Sequence, residues 1–243
     1  MELKICHLYP DILNLYGDRG NIICLEKRAR WRGLDVSTTG VSVGETADFT
    51  AFDLFFIGGG QDFEQAVLLR DLAAGKGKEI KAAAHDGKVF LAICGGYQIL
   101  GTSYRTWDGD QFDFIGAMDI HTIGSRERMI GNFIYQCPPE NSGARVVGFE
   151  NHSGKTYLGP DVSPLGTVLK GHGNNGEDGS EGARSKNIFA TYSHGPLLPK
   201  NPVLADFILQ TAIRQKDPGF VPEPLDDLYE KLANDSMAER LLI

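Results

Sequence analysis

Short apolar runs alternate with longer amphipathic stretches through the first part of the chain. Glu2–Leu8, Leu34–Val43, Asp53–Ile57 (DLFFI) and Val89–Ile93 (VFLAI) have the length and the β-branched or aromatic character of strands. Between them lie helical patterns. One covers Asn21–Arg32, with a basic last turn and Gly33 positioned to cap it. The other is an alanine-rich stretch, roughly Phe63–His85, where Gly75–Gly77 marks a break. Strands alternating with helices predict an α/β fold, a mostly parallel sheet flanked by helices.

After Gly101 the period changes. Phe112–Ile123, Met129–Gln136 and Arg145–Glu150 are strand-like and lack long helices between them, which predicts an antiparallel extension. Gly171–Gly182 (GHGNNGEDGSEG) reads as a flexible turn region, with Asn175-Gly176 as a hairpin signal. Asn187–Tyr192 is a strand that delivers Ser193-His194-Gly195-Pro196, and a helix runs from Asn201/Pro202 to about Gln215. The chain divides into a domain over 1–216 and a tail over 217–243. Leu225, Leu228, Tyr229, Leu232, Met237 and Leu241 fall near helical spacing, so the tail should carry an amphipathic helix; packing back on the domain is the favoured reading and docking a partner the alternative.

Charge and cysteine usage narrow the function classes. A net charge of −8 argues against nucleic acid or an anionic membrane as the main partner. No run of about 18 apolar residues is present, and the N-terminus lacks a signal peptide's apolar region, so a cytoplasmic location is expected. The four cysteines form no CxxC pair, and neither disulfides nor a zinc site is expected. Cys6, Cys24 and Cys137 are explained by packing.

Cys94 is different. It ends the VFLAI strand, and Gly95 and Gly96 follow before a helix-like pattern begins. A cysteine on such a strand-to-helix turn has the form of a nucleophile elbow, where the helix start favours a thiolate. A thiolate nucleophile needs a proton shuttle and donors for the developing oxyanion. The backbone N–H groups of Gly58–Gly60, ending a strand expected to lie beside Cys94, and of Gly95 are candidates for the second task. For the first, His194 is best placed, at a strand's C-terminal end where open α/β sheets build their sites. His152, in FENHSG, is second. His85 and His121 read as surface or core residues, His172 lies in the glycine-rich loop and His7 ends the first strand.

At this level of detail the chain resembles a known family. YPDILNLYGDRGN, FFIGGGQDFEQ, LAICGGYQILG, GFENHSGKTYLG, GHGNNGEDGSEG and ATYSHGPLLPKNP occur in order between residues 9 and 202. Together they resemble the class I, cysteine-type glutamine amidotransferases of the cobyric-acid-synthase-like branch, including the glutaminase subunits of lipid II isoglutaminyl synthase. The resemblance implies a flavodoxin-like fold with Cys94 as nucleophile and His194 as its acid and base. It implies Gly59, Gly60 and Gly95 as the oxyanion hole and Arg128 as the grip on substrate glutamine, although by charge alone Arg126 is an equal candidate. Most class I members read His-x-Glu, and here Pro196 stands where the acid would be. Glu150 is a candidate replacement within the chain; a carboxylate from a partner subunit is the favoured one.

Ammonia must be passed on shielded from water, and its acceptor carboxylate must first be activated. The phosphate-binding pattern GxxxxGK[ST] is absent. A second subunit is therefore expected to hold ATP and Mg²⁺, with no cofactor and no metal in this chain. The resemblance implies a MurT-like Mur ligase subunit, with which the chain would amidate the α-carboxyl of D-glutamate in lipid II to D-isoglutamine during peptidoglycan synthesis. Two alternatives are a cobyric-acid-type amidotransferase serving cofactor biosynthesis and a non-catalytic binding module on the same fold.

Overall fold

The computed structural model describes residues 1–60 and 62–243, with 62–66 as backbone only. The chain runs β1 (Glu2–Leu8), α1 (Arg19–Arg30), β2 (Asp35–Val41), β3 (Leu54–Ile57), α2 (Asp62–Asp71), α3 (Gly77–His85), β4 (Val89–Ile93) and α4 (Gly95–Ile99). It continues through β5 (Ser103–Arg105), β6 (Gln111–Asp113), β7 (Ile120–Gln136), β8 (Arg145–Leu158), β9 (Gly166–Lys170) and β10 (Ser180–Glu181). β11 (Ala183–Ser185), β12 (Ile188–Thr191), α5 (Pro202–Arg214) and α6 (Leu228–Leu242) complete it.

The first sheet has the order β11-β12-β4-β3-β1-β2. Its pairs are parallel except at the β11 edge. All residues of β3 and β4 are buried, as strands covered on both faces require, and Phe55 stacks on Phe90 with centroids 4.6 Å apart. The register places Ile57 beside Ala92 and Ile93 beside Thr191. Three adjacent strands therefore end together and release Gly58–Gly60, Cys94 and Ser193-His194 at one edge. The expected break in the alanine-rich helix is present: α2 and α3 are separated by a wide turn at 72–76 in which Gly75 takes φ +131°.

The second sheet, order β10-β9-β7-β5-β6 with β8 on β7, is the antiparallel extension, although β5 pairs with β7 in parallel. Three expectations change here. Phe112–Ile123 is not one strand but the end of β6, a connection over 114–119 and the start of β7. Met129–Gln136 is not a separate strand but the second half of β7, whose pairing with β8 shifts register between Gly124 and Met129. β8 also runs past Glu150 to Leu158. The register shift is a bulge, which re-aims side chains, and Arg128 lies within it.

The glycine-rich stretch 171–182 is not a free loop. Asn174 and Asn175 are fully buried. Asn174 receives the Gly182 N–H at 2.9 Å and donates to the Gly182 carbonyl at 2.9 Å, while Asn175 receives the N–H groups of Glu177 and Asp178. The glycines permit the tight path, and the two asparagines hold it. Glu181, which follows, is also fully buried, with Oε1 accepting from Thr191 Oγ1 and the Tyr192 N–H and Oε2 without a partner. Burial pushes its carboxyl up to about 7. Between about pH 4.5 and 7 the folded state thus keeps a proton that the unfolded chain has released, so stability falls as pH rises through that window. Glu181→Gln is expected to flatten this dependence by about 3 kcal/mol. Urea unfolding of both forms at pH 5 and pH 8 measures it; parallel curves would refute the assignment.

The tail is fastened by Arg28. This buried guanidinium, on α1, makes paired hydrogen bonds to Asp206 of α5 (2.6 and 2.7 Å) and to Asp227 before α6 (2.7 and 2.9 Å). α6 packs on Ile134 and Val147 through Ala238, with Met237 and Leu241 beside it. Leu228, Tyr229 and Leu232 are exposed, so the amphipathic face seats only in its second half.

Candidate active site

β4 ends in a backbone conformation that costs energy. Cys94 takes φ +49° and ψ −104°, outside the regions open to a residue with a Cβ. Hydrogen bonds over-determine it: the Cys94 N–H donates to the Thr191 carbonyl at 2.9 Å, and the Cys94 carbonyl accepts from the Gln98 N–H at 3.0 Å. The turn packs so tightly that a Cβ at Gly96 would lie 2.6 Å from the Ile57 carbonyl oxygen. α4 has five residues, too few for an appreciable macrodipole. The charged partner of the sulfur is instead an imidazole.

That imidazole belongs to His194, fully buried just beyond β12 and fixed by its N–H to the Phe149 carbonyl at 2.8 Å. Its Nδ1 lies 3.4 Å from Oδ2 of Asp18, itself fully buried, an ion-pair separation without the alignment of a hydrogen bond. Burial opposes charging the ring. The negative charge on Cys94, followed by Asp18, outweighs that cost and holds His194 up to about 10.

Gly59 lies where the three meet. A Cβ built there would fall 2.5 Å from His194 Cε1, 3.2 Å from Asp18 Oδ2 and 3.4 Å from Cys94 Cβ. The Gly59 N–H, expected to face an oxyanion, donates instead to Asp18 Oδ2 at 2.8 Å. The N–H groups of Gly60 and Gly95 have no protein acceptor among the described residues, and a Cβ on Gly95 would stand 3.1 Å from Gly60 N. Two of the three expected donors thus stay available and adjacent.

Cys94 and His194 open on a cavity of about 540 Å³ that Tyr16, Gly60, Gln98, Arg128, Asn151 and His152 also line. Arg128 Nε donates to Asn151 Oδ1, Asn151 Nδ2 donates to the Tyr16 hydroxyl, and the Tyr16 ring stands edge-on over His194 at 4.8 Å. Arg126, equal to Arg128 by charge, stacks on Trp107 and is absent from the cavity lining. Glu150 is not beside His194: it accepts the N–H groups of His172 and Gly173 and faces the His172 ring. The carboxylate on the imidazole comes from Asp18. Burial pushes the thiols of Cys6, Cys24 and Cys137 up to about 12, and none lines the cavity.

Residues 4–202 match the CobB/CobQ-like glutamine amidotransferase domain. The chain belongs to that family. This amidotransferase is 41% identical over 239 residues to the GatD subunit of lipid II isoglutaminyl synthase (glutamine-hydrolysing) from Staphylococcus aureus, covering 98% of this chain and 96% of that one. The subunit of the same name from Streptococcus pneumoniae is 39% identical, covering 98% and 90%. A crystal structure of a glutamine amidotransferase superposes with a TM-score of 0.57 at 15% identity, covering 85% of this chain and 98% of the other, a likeness of fold. Among the described residues, no helix of the amidotransferase is long and apolar enough to cross a membrane.

Asp18 escaped the reading of the sequence because it stands at the start of α1, where an aspartate ordinarily caps. Here it makes no side-chain cap, and the Arg19 N–H is taken by Asn14 Oδ1 at 2.9 Å instead. A second polar residue four positions upstream, able to cap in its place, was the available signal. Gly59→Ala follows from the same crowding. The added methyl must displace the imidazole, so glutamine hydrolysis by the amidotransferase should fall by about 100-fold or more while the thermal midpoint moves by only a few degrees. Paired activity and melting measurements check this.

Proposed function

We propose that this chain hydrolyses glutamine for a lipid II isoglutaminyl synthase. The observation that carries the reading is one cavity bounded by a cysteine on a strained turn, an imidazole held charged beside it and an arginine in a bulge. In this mechanism Cys94 Sγ attacks the side-chain amide carbon of glutamine, and the carbonyl oxygen takes the negative charge toward the Gly60 and Gly95 N–H groups. His194 gives its proton to the amide nitrogen, the C–N bond breaks, and ammonia leaves. Water then adds to the thioester, its proton passing to His194, and glutamate and free Cys94 are restored. Arg128 grips the α-carboxylate, with Asn151 setting the guanidinium plane. Asp18 orients His194 and stabilises its charge, the role expected of a partner's carboxylate.

Ammonia then passes to a Mur-ligase-like, MurT-type partner, which holds ATP and Mg²⁺ and activates the D-glutamate α-carboxyl of lipid II. A cytoplasmic location for the pair accords with that acceptor. The near full-length likeness to GatD subunits supports this assignment over a cobyric-acid-type role. The test is glutamate release from L-glutamine by the chain with its partner, together with labelling of Cys94 by a glutamine-like electrophile. Neither glutamate nor label would leave the binding-module reading standing.

A further inference from the structure

His152 has a lone pair with nothing to receive. It projects from β8 into the cavity lining, is only 4% exposed, and its ring lies flat on Tyr192 with centroids 3.6 Å apart and planes within 6°. Tyr192 is itself held by Thr156 Oγ1 at 2.6 Å and Gln98 Nε2 at 3.0 Å, so the platform under the imidazole is rigid. Nδ1 is 2.8 Å from the Gly154 carbonyl oxygen. A carbonyl can only accept, so the proton is on Nδ1 and Nε2 presents a lone pair. Burial, with the positive charges of His194 and Arg128, holds the ring neutral.

Nε2 is buried and has no partner. Oε2 of Glu150, which accepts the Gly173 N–H, is 4.0 Å away and equally unable to donate as a carboxylate. Two electron-rich atoms thus face each other without a hydrogen between them, an arrangement that an incoming N–H donor relieves. A positively charged donor gains further from the buried carboxylate behind. Asn151, the neighbouring amide in the cavity, has its oxygen committed to Arg128. In the register of β7 and β8, His152 stands opposite Met129, one residue from Arg128.

We propose that His152 Nε2, backed by Glu150, accepts a hydrogen bond from the α-ammonium group of the substrate and so selects an α-amino acid over a simple carboxylic amide. This rests on the glutaminase reading above and adds the group that tells glutamine from an amide lacking the ammonium. His152 is a binding residue here, with no part in moving the proton that His194 carries.

The test uses the full chain with its partner and two ligands, L-glutamine and glutaramate, which is glutamine without the α-amino group. Each is titrated for protection of Cys94 against iodoacetamide, read by mass spectrometry, and for release of its product acid. Wild-type protein should favour glutamine by about 10- to 100-fold, the range for a hydrogen bond to a charged group. His152→Phe keeps the stack and removes the lone pair. Its half-protecting glutamine concentration should rise by that factor, glutaramate should change by less than about twofold, and alkylation without ligand should keep its rate. His152→Gln, which retains an acceptor, should restore part of the preference; should the Phe variant not fold, the Gln variant against wild type decides. Equal losses for both ligands, or no wild-type preference, would overturn the proposal while leaving the glutaminase reading intact. No protection and no glutamate from wild type would remove both.

Discussion

Cys94→Ala, assayed with the synthetase partner, abolishes amidation supported by glutamine and leaves amidation supported by a high concentration of ammonium salt. The two outcomes separate because the variant removes only the source of ammonia. Without the sulfur no thioester forms, and glutamine hydrolysis should fall by about 10⁴-fold or more, as when other covalent nucleophiles are removed. In the proposed division of labour the acceptor is activated on the other subunit, so that step should be untouched. The substitution also relieves the strained turn only in part, since alanine still carries a Cβ at φ +49°. Fold and complex should therefore survive, which gel filtration with the partner reads. Glutamine-dependent amidation persisting in Cys94→Ala would end the mechanism.

The second large effect is expected at Asp18→Asn. Geometry is nearly conserved, but the negative charge 3.4 Å from His194 Nδ1 is lost. Asp18 supports the raised proton affinity of His194, so its removal lowers that affinity, and the imidazolium that protonates departing ammonia is lost at a lower pH. Glutaminase kcat should drop by about 10²- to 10⁴-fold, in line with loss of an orienting carboxylate elsewhere. The alkaline limb of the pH–rate profile, which the raised proton affinity of His194 holds up in the parent, should move toward neutrality. A merely structural aspartate would reduce activity without moving that limb. Full activity in Asp18→Asn would return the role to a partner's carboxylate.

The legible parts of this molecule were those set by short-range pattern. VFLAI, five apolar residues of mostly β-branched or aromatic type, reads as a buried strand, so Val89–Ile93 and the position of Cys94 at its end were legible in the residues. His194 was legible in the same way, because NIFATY reads as a strand that delivers it to a C-terminal end, and the structure puts that end beside Cys94. What stayed hidden depended on groups distant in sequence. Asp18 acquires its role only when Gly59, on another strand's end, packs against it. Glu150 is acidic and close in sequence to His152, yet the backbone of 172 and 173 claims it. The glycine-rich 171–182 region looked mobile because no local feature reveals that Asn174 and Asn175 turn inward. Arg128 and Arg126 were inseparable by charge; both lie in the β7 bulge, and of the two it is Arg128 that lines the cavity while Arg126 stacks on Trp107.

One oxygen of Asp18 serves two masters. It receives the amide of Gly59 and faces the ring of His194 at once. Perturbations at 18, 59 and 194 should therefore not sum: once one is made, the others have little left to remove, and a double-mutant cycle among them should return a coupling nearly as large as either single loss. Substitution can pass through this site only as a set, so directed evolution that varies these positions one at a time should find each of them closed.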